Sequence, residues 1–373
     1  MIQTAPPAEV FPEYPASWYL FGESRELRQG PVSRRILGRL LVAFRTESGR
    51  LVVMDGECAH LGADLGFGDV VGETIRCPFH HWQYGCDGAC VAVPGQGPGQ
   101  GRPPAFARQR TYPTEERHGY LFFFNGREPL FPLPFFLNDE GLGEDPAGYA
   151  ASEVFRYVGD CTWYMNSAHA FDRQHFAAVH DRELMGPPAI DCPAPYARRN
   201  SYLAKVVGDT GFDRILRYTA GRTVKTTLTI WGGTFAVITA DFERVRSGFV
   251  MAMEPLEDGR TMCHGIVFAP RPRGPLGLLA PLQLRLRRLF TYGYLKEEAR
   301  RLRSTRYKPE SLGPADQDMI DFFHWAAALP QKGDHEEKDC LPASAIPAVP
   351  DVPAVLRAGA AAGSPAGGRG ARL

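Results

Sequence analysis

The chain has 373 residues, 44% of them hydrophobic, enough for a sizeable core and, by length, for two or three domains. Its 42 basic and 42 acidic residues cancel, which excludes a global field that would gather nucleic acid. No run reaches the roughly eighteen apolar residues of a membrane span. The Pro-rich, acidic stretch Met1–Pro15 lacks the order of a signal peptide, and eight cysteines without framework spacing fit a reduced, cytoplasmic protein.

After an N-terminal arm, 1–15, short strand-like segments begin. They are Ser17–Leu20, Val32–Ile36, Leu40–Phe44 and Arg50–Met54, with Gly and Asp between several of them. Cys90–Val93 is a further strand. Pro94–Pro104 reads as a surface loop or as a docking loop for an electron donor, and a strand pair ends in Gly119–Gly126. Pro129–Pro134 marks a boundary, so 16–135 is expected to be one all-β domain, followed by an acidic linker, 136–150.

Inside that domain lies a metal-ligand pattern. Cys58-Ala59-His60 is followed by sixteen residues and then by Cys77-Pro78-Phe79-His80. Two thiolates and two imidazoles can close a tetrahedral zinc site or hold a two-iron, two-sulfide cluster with histidines on one iron. Each loop supplies one Cys and one His, so each can hand one ligand to each of two irons. A zinc finger more often groups Cys with Cys and His with His. Trp82 and Tyr84 are expected to cap the site with apolar bulk.

These four residues resemble the Rieske motif, Cys-x-His, a spacer, then Cys-x-x-His. The resemblance covers the whole all-β domain and implies that Cys58, His60, Cys77 and His80 hold a [2Fe-2S] cluster. High-potential Rieske proteins add a disulfide across the cluster. The matching positions here are Ala63 and Phe79, which implies the low-potential type, in the lower part of the roughly −150 to +300 mV Rieske range.

A second domain is expected over 151–332. Cys161–His180 reads as a helix or broken helix. Arg214–Tyr218, Thr223–Trp231, Phe235–Thr239, Gly248–Met253 and Met262–Phe268 read as an antiparallel meander. Helices are expected over about Leu276–Arg303 and Ala315–Ala328, and a mostly disordered tail over 333–373, Ala/Gly/Arg-rich from Ala354. In Gly274–Phe290, leucines alternate with Arg285, Arg287 and Arg288. The stretch reads as a core-facing amphipathic helix, or as an entrance lip in peripheral contact with a membrane or lipid-like substrate.

The second domain also carries donors. Asp172 and His175 are three apart and would share a helix face, whereas His180 lies about 140° further round, so a break near Ala177 or Ala178 is needed to aim both imidazoles at one metal. Two histidines and a carboxylate with open positions form the facial triad of non-haem Fe(II) oxygenases; histidines in a helix are also ordinary core or surface residues. Asp172-x-x-His175-x4-His180, about ninety residues after the cluster motif, resembles the Rieske non-haem iron oxygenases.

The resemblance implies an α+β chain whose second domain is an antiparallel sheet with helices (helix-grip, START-like). It makes His175 and His180 ligands of a mononuclear Fe(II), and Asp172 a bridging carboxylate that joins a cluster histidine of a neighbouring subunit to an iron-binding histidine. That bridge implies a ring, commonly a homotrimer. The third iron ligand is best matched by Asp318, with Asp316 and Asp321 as alternatives and a solvated helix N-terminus as the structural reading of all three. Family members usually carry Glu-Asn shortly before the bridging Asp; Ala168-His169 stands here, so His169 replaces the Asn or is an extra donor.

The cluster neighbourhood resembles the aminopyrrolnitrin oxygenase and ketosteroid 9α-hydroxylase branch. It implies O2-dependent oxidation of a bulky hydrophobic or aromatic small molecule, often in secondary metabolism. Electrons would come from NAD(P)H through a ferredoxin or flavin reductase. A Rieske electron carrier without oxygenase activity and a zinc-stabilised interaction module are the competing classes.

Overall fold

A computed structural model describes residues 4–95, 103–104, 106–138, 143–175, 182–271, 280–303 and 305–331. The first half is all β. Strands β1 (Trp18–Glu23), β10 (Thr114–Arg117) and β11 (Tyr120–Phe124) form a three-stranded sheet in the order β1-β11-β10. Strands β2 (Val32–Ile36), β3 (Arg39–Arg45), β4 (Leu51–Asp55) and β9 (Thr111–Tyr112) form a second sheet in chain order. Strands β5 (Asp69–Val71), β6 (Thr74–Arg76), β7 (Gln83–Gly85) and β8 (Cys90–Ala92) form a third. Every pairing is antiparallel. Short strands broken by glycine suit these tight connections, and Gly88 shows why one residue must be small. At φ +80° it donates its place to the backbone, since a Cβ there would lie 2.0 Å from the Gln109 carbonyl oxygen.

The second half is one nine-stranded antiparallel sheet with helices on it. Its strands are β12 (Tyr149–Ala151), β13 (Phe155–Gly159), β14 (Arg182–Leu184), β15 (Ala189–Ala194), β16 (Ala197–Val206), β17 (Thr223–Trp231), β18 (Phe235–Phe242), β19 (Arg246–Pro255) and β20 (Thr261–Pro270). The long strands run β20-β19-β18-β17-β16. β12 and β13 share the outer edge of β20, and β14 and β15 share the outer edge of β16. The helices are α1 (Trp163–Ala168), α2 (Gly211–Thr219), α3 (Ala280–Arg301) and α4 (Gln317–Ala327). No described helix is long and apolar enough to cross a membrane.

Alternation along the long strands gives this sheet two buried faces. One face, with Phe235, Val237, Val250, Ala252, Ile266 and Phe268, packs on Trp18, Leu20, Phe122 and Phe124 of the first half and on Phe131–Phe136 between the halves. Each fully buried Phe of this layer is worth about 1.5–3 kcal/mol over exposure. The Trp18 indole donates to the Phe131 carbonyl at 2.9 Å, and the Tyr120 hydroxyl to that of Ser152 at 2.7 Å, which fixes the two halves in register. The opposite face, with Ile230, Ala236, Ile238, Met253 and Cys263, packs on α1 and α4.

Three sequence expectations change. Arg214–Tyr218 belongs to helix α2, not to a strand: the Thr210 side chain accepts from the Asp213 backbone N–H, and this N-cap sets a helix over residues whose apolar content alone suggested β. The stretch from Trp163 is broken earlier than expected. α1 tightens into a 3-10 turn, His169–Phe171, and Asp172 is extended at φ −88°, ψ 105°. The proposed break at Ala177 or Ala178 lies outside the described residues, as do the tail over 333–373 and Gly274–Leu279. On α3, finally, Leu282, Leu286 and Leu289 face outward, so this part of the helix is not core-facing through its leucines. The sheet side instead takes Arg287, which donates to the Arg246 carbonyl at 2.6 Å, and Arg288, which donates to that of Glu153 at 2.9 Å.

Candidate metal centres

The first centre is built from two loops with the same hydrogen-bond plan. In one, the Cys58 N–H donates to the Ala63 carbonyl (2.9 Å) and the Gly62 N–H returns to Cys58 (2.8 Å). In the other, the Cys77 N–H donates to Trp82 (2.8 Å) and the His81 N–H returns to Cys77 (3.1 Å). Each ring closes through a left-handed residue at its fifth position, Gly62 (φ +75°) and His81 (φ +60°). Two like turns face each other, so two cysteines and two histidines meet. The His60 and His80 rings are 4.7 Å apart. Close approach of the supporting backbone is forced by Gly68, where a Cβ would lie 2.1 Å from the carbonyl oxygen of Arg76, just before Cys77.

The surroundings suit a group bound between the loops. Cys58 and Cys77 are buried free thiols, as are all the described cysteines in being free. Burial pushes the Cys77 thiol up, while the Phe79 and His80 backbone N–H groups are directed at its sulfur and favour the thiolate. His60 Nδ1 is buried without a hydrogen-bond partner. A buried ring nitrogen left open, two sulfurs outside any disulfide and backbone donors trained on one of them are what a cluster held through sulfur and imidazole nitrogen needs. Trp82 does cap the site, its indole stacked on His60 at 4.3 Å and 4°. Tyr84 does more than supply bulk. It is fully buried, and its hydroxyl lies 3.1 Å from Cys58 Sγ. The alternation around β7 could have placed that side chain inward, but not onto a sulfur. Leu61, Phe79 and Phe106 stand exposed near the loop tips.

The second centre sits where α1 ends. Asp172 caps the following turn, its Oδ1 accepting from the Gln174 N–H (2.9 Å) and the His175 N–H (3.1 Å). Asp172 and His175 are therefore neighbours through a cap rather than along one helix face. The His175 ring is buried, 7% exposed, and its Nε2 lies 2.6 Å from Oε1 of Glu298, a residue of α3 that the sequence motifs did not single out. His169 packs its ring 5.5 Å from that of His175. Burial, and then His175, lower the His169 pKa to about 4, so it is neutral at neutral pH. His180 lies outside the described residues. Asp318 forms an ion pair with Arg173, Asp321 accepts from Gln317 at 2.8 Å, and Asp316 caps Gly313 at 2.9 Å. Among the described residues no three metal-binding side chains converge on one point.

Comparison with known proteins agrees with this architecture. The Rieske [2Fe-2S] domain family matches residues 17–113. Aminopyrrolnitrin oxygenase PrnD of Pseudomonas fluorescens is 47% identical over 123 residues, covering 32% of this chain and 34% of that protein. The oxygenase component of 3-ketosteroid-9-alpha-monooxygenase from Rhodococcus rhodochrous is 35% identical over 127 residues, 34% and 32% of the two chains. The chain thus spans about a third of the length of these curated relatives. In fold, NdmA of Pseudomonas putida CBB5, solved with caffeine, superposes at a TM-score of 0.59 with 20% identity, covering 83% of this chain and 89% of that one. The first domain thus matches the Rieske [2Fe-2S] domain family in sequence, and the architecture throughout shares the fold of NdmA.

Proposed function

We propose that the protein is an oxygenase component: it oxidises a bulky hydrophobic or aromatic small molecule with O2, using electrons from a separate reductase or ferredoxin. The observation that carries this reading is the pairing, in one chain, of the two matched Cys/His loops with a buried His175 at the end of α1. An electron inlet and a second metal site together distinguish an oxygenase from a carrier. In this reading Cys58, His60, Cys77 and His80 hold the [2Fe-2S] cluster, and His175, His180 and a carboxylate hold Fe(II). Asp318 is the carboxylate that the motif favours.

The iron, when bound, supplies the open positions at which O2 is reduced beside the substrate. The chain's own residues do the rest. Asp172, with one oxygen spent on capping, keeps its second oxygen for an imidazole. That carboxylate sets the tautomer of His175 and offers a short path from a cluster histidine of a neighbouring subunit. The face of the sheet that carries Ile230, Ile238, Met253 and Cys263 excludes water. The relatives whose names include aminopyrrolnitrin and 3-ketosteroid support a ring-bearing, mostly apolar substrate. A homotrimer is the assembly expected for a bridge between subunits.

Metal analysis of the purified full chain tests the proposal. About three iron and two sulfide per chain are expected. A full cluster with no capacity for a further Fe(II) refutes it and leaves an electron carrier; zinc alone leaves a structural module.

A further inference from the structure

The Nε2 of His175 meets a carboxylate, and it is none of the three that the sequence pattern offers. Glu298 reaches it from α3. The helix aims it there by register: Tyr292, Leu295 and Glu298 follow at three-residue spacing, and Leu295 is buried on Phe155 and Val267 of the sheet. Once Leu295 is seated, the next turn must point inward. The Glu298 side chain is 14% exposed and brings Oε1 to 2.6 Å of Nε2 of a His175 that is 7% exposed. On α4, by contrast, Asp318 is paired with Arg173, and Asp321 lies 3.9 Å from Arg198.

We propose that Glu298 is a carboxylate ligand of the mononuclear metal, an inference that rests on reading His175 as a metal ligand. The geometry is close to what is required. Neighbouring nitrogen and oxygen ligands, each about 2.1 Å from a metal and near a right angle apart, are themselves about 3.0 Å apart. The observed separation is 2.6 Å. Placing a metal between them asks the two atoms to part by roughly 0.4 Å, which side-chain torsions of Glu298 supply. The donor set also makes sense for charge. A buried divalent ion among neutral imidazoles is stabilised by a buried anionic oxygen, and a buried carboxylate by the cation.

The test uses cluster-loaded full-length protein, stripped of its mononuclear metal and titrated anaerobically with Fe(II) and, separately, with Co(II). Glu298→Gln, Glu298→Ala, Glu298→Asp and Asp318→Asn are compared with the wild type. Readouts are metal bound beyond the cluster and the visible Co(II) spectrum; the cluster absorption and circular dichroism report folding. Glu298→Gln and Glu298→Ala are expected to lose about 100-fold in affinity or more, with an altered Co(II) spectrum, and Glu298→Asp to recover part of both. Wild-type affinity and spectrum in Glu298→Gln overturn the proposal. Should Gln and Ala both prevent folding, an unchanged Co(II) spectrum in Glu298→Asp overturns it instead, and a shifted one supports it. A loss confined to Asp318→Asn assigns the carboxylate to α4, against the proposal. Failure of the wild type to take up metal beyond its cluster refutes the underlying reading.

Discussion

Tyr84→Phe isolates one hydrogen bond at the cluster. The Tyr84 ring is fully buried, so Phe fills the same space and removes only the hydroxyl that lies 3.1 Å from Cys58 Sγ. Burial and the nearby sulfur push the phenol pKa up, so the group stays a donor at any working pH. Reduction adds negative charge to the sulfurs, and a donor to a more charged acceptor binds it better. Hydrogen bonds to charged groups exceed neutral ones by about 1 kcal/mol. For a one-electron couple, where about 59 mV corresponds to a tenfold change, that is a fall of roughly 40 mV in potential. An optical or electron-paramagnetic-resonance redox titration measures it, with the cluster line shape as the control for intact ligation. An unchanged or raised potential, with an unchanged line shape, refutes the assignment of Tyr84 as a donor to the cluster.

Other outcomes follow from the same contacts. Asp172→Asn keeps an acceptor for the Gln174 and His175 N–H groups, so both metal centres should load normally while turnover coupled to reduction is lost; unchanged turnover would remove Asp172 from the electron path. Asp172→Ala additionally loses the cap, and about 1 kcal/mol of stability by urea titration. Gly68→Ala forces a Cβ against the Arg76 carbonyl and should lower cluster content, read as sulfide per chain. His169 gives a pH signature in the metal-free protein. Its folded pKa, about 4, lies below the unfolded 6.5. The unfolded chain therefore takes up the proton first as pH falls, and stability drops between about 6.5 and 4, by roughly 1.4 kcal/mol per unit. Urea midpoints at pH 7 and 4.5 should show a smaller drop in His169→Phe; an equal drop would place the titration elsewhere.

The cluster was legible because its information is local. Each loop carries its own Cys and His within four residues and closes its own hydrogen-bonded ring, so spacing along the chain maps directly onto space. The strands β17 to β20 were legible for a similar reason, their alternation running through long unbroken segments. Helix α2 was misread because Ile215, Leu216 and Tyr218 look strand-like, while the deciding signal was the Thr210–Asp213 cap beside them. Strands β15 and β16 were passed over: with Pro193 and Asn200 they lack strong β character, and their pairing partners hold them in the sheet.

What the sequence determined by itself was two candidate metal-ligand patterns in a fixed order, the first inside the stretch that matches the Rieske [2Fe-2S] domain family. Tertiary structure decided which side chains stand beside each candidate centre. Tyr84 reaches a sulfur because β7 pairs beside the first loop, and Glu298 reaches His175 because Leu295 docks α3 on the sheet. Residues 26 and 123 apart in the chain cannot announce such contacts by spacing. Only the packing of one element on another brings them together.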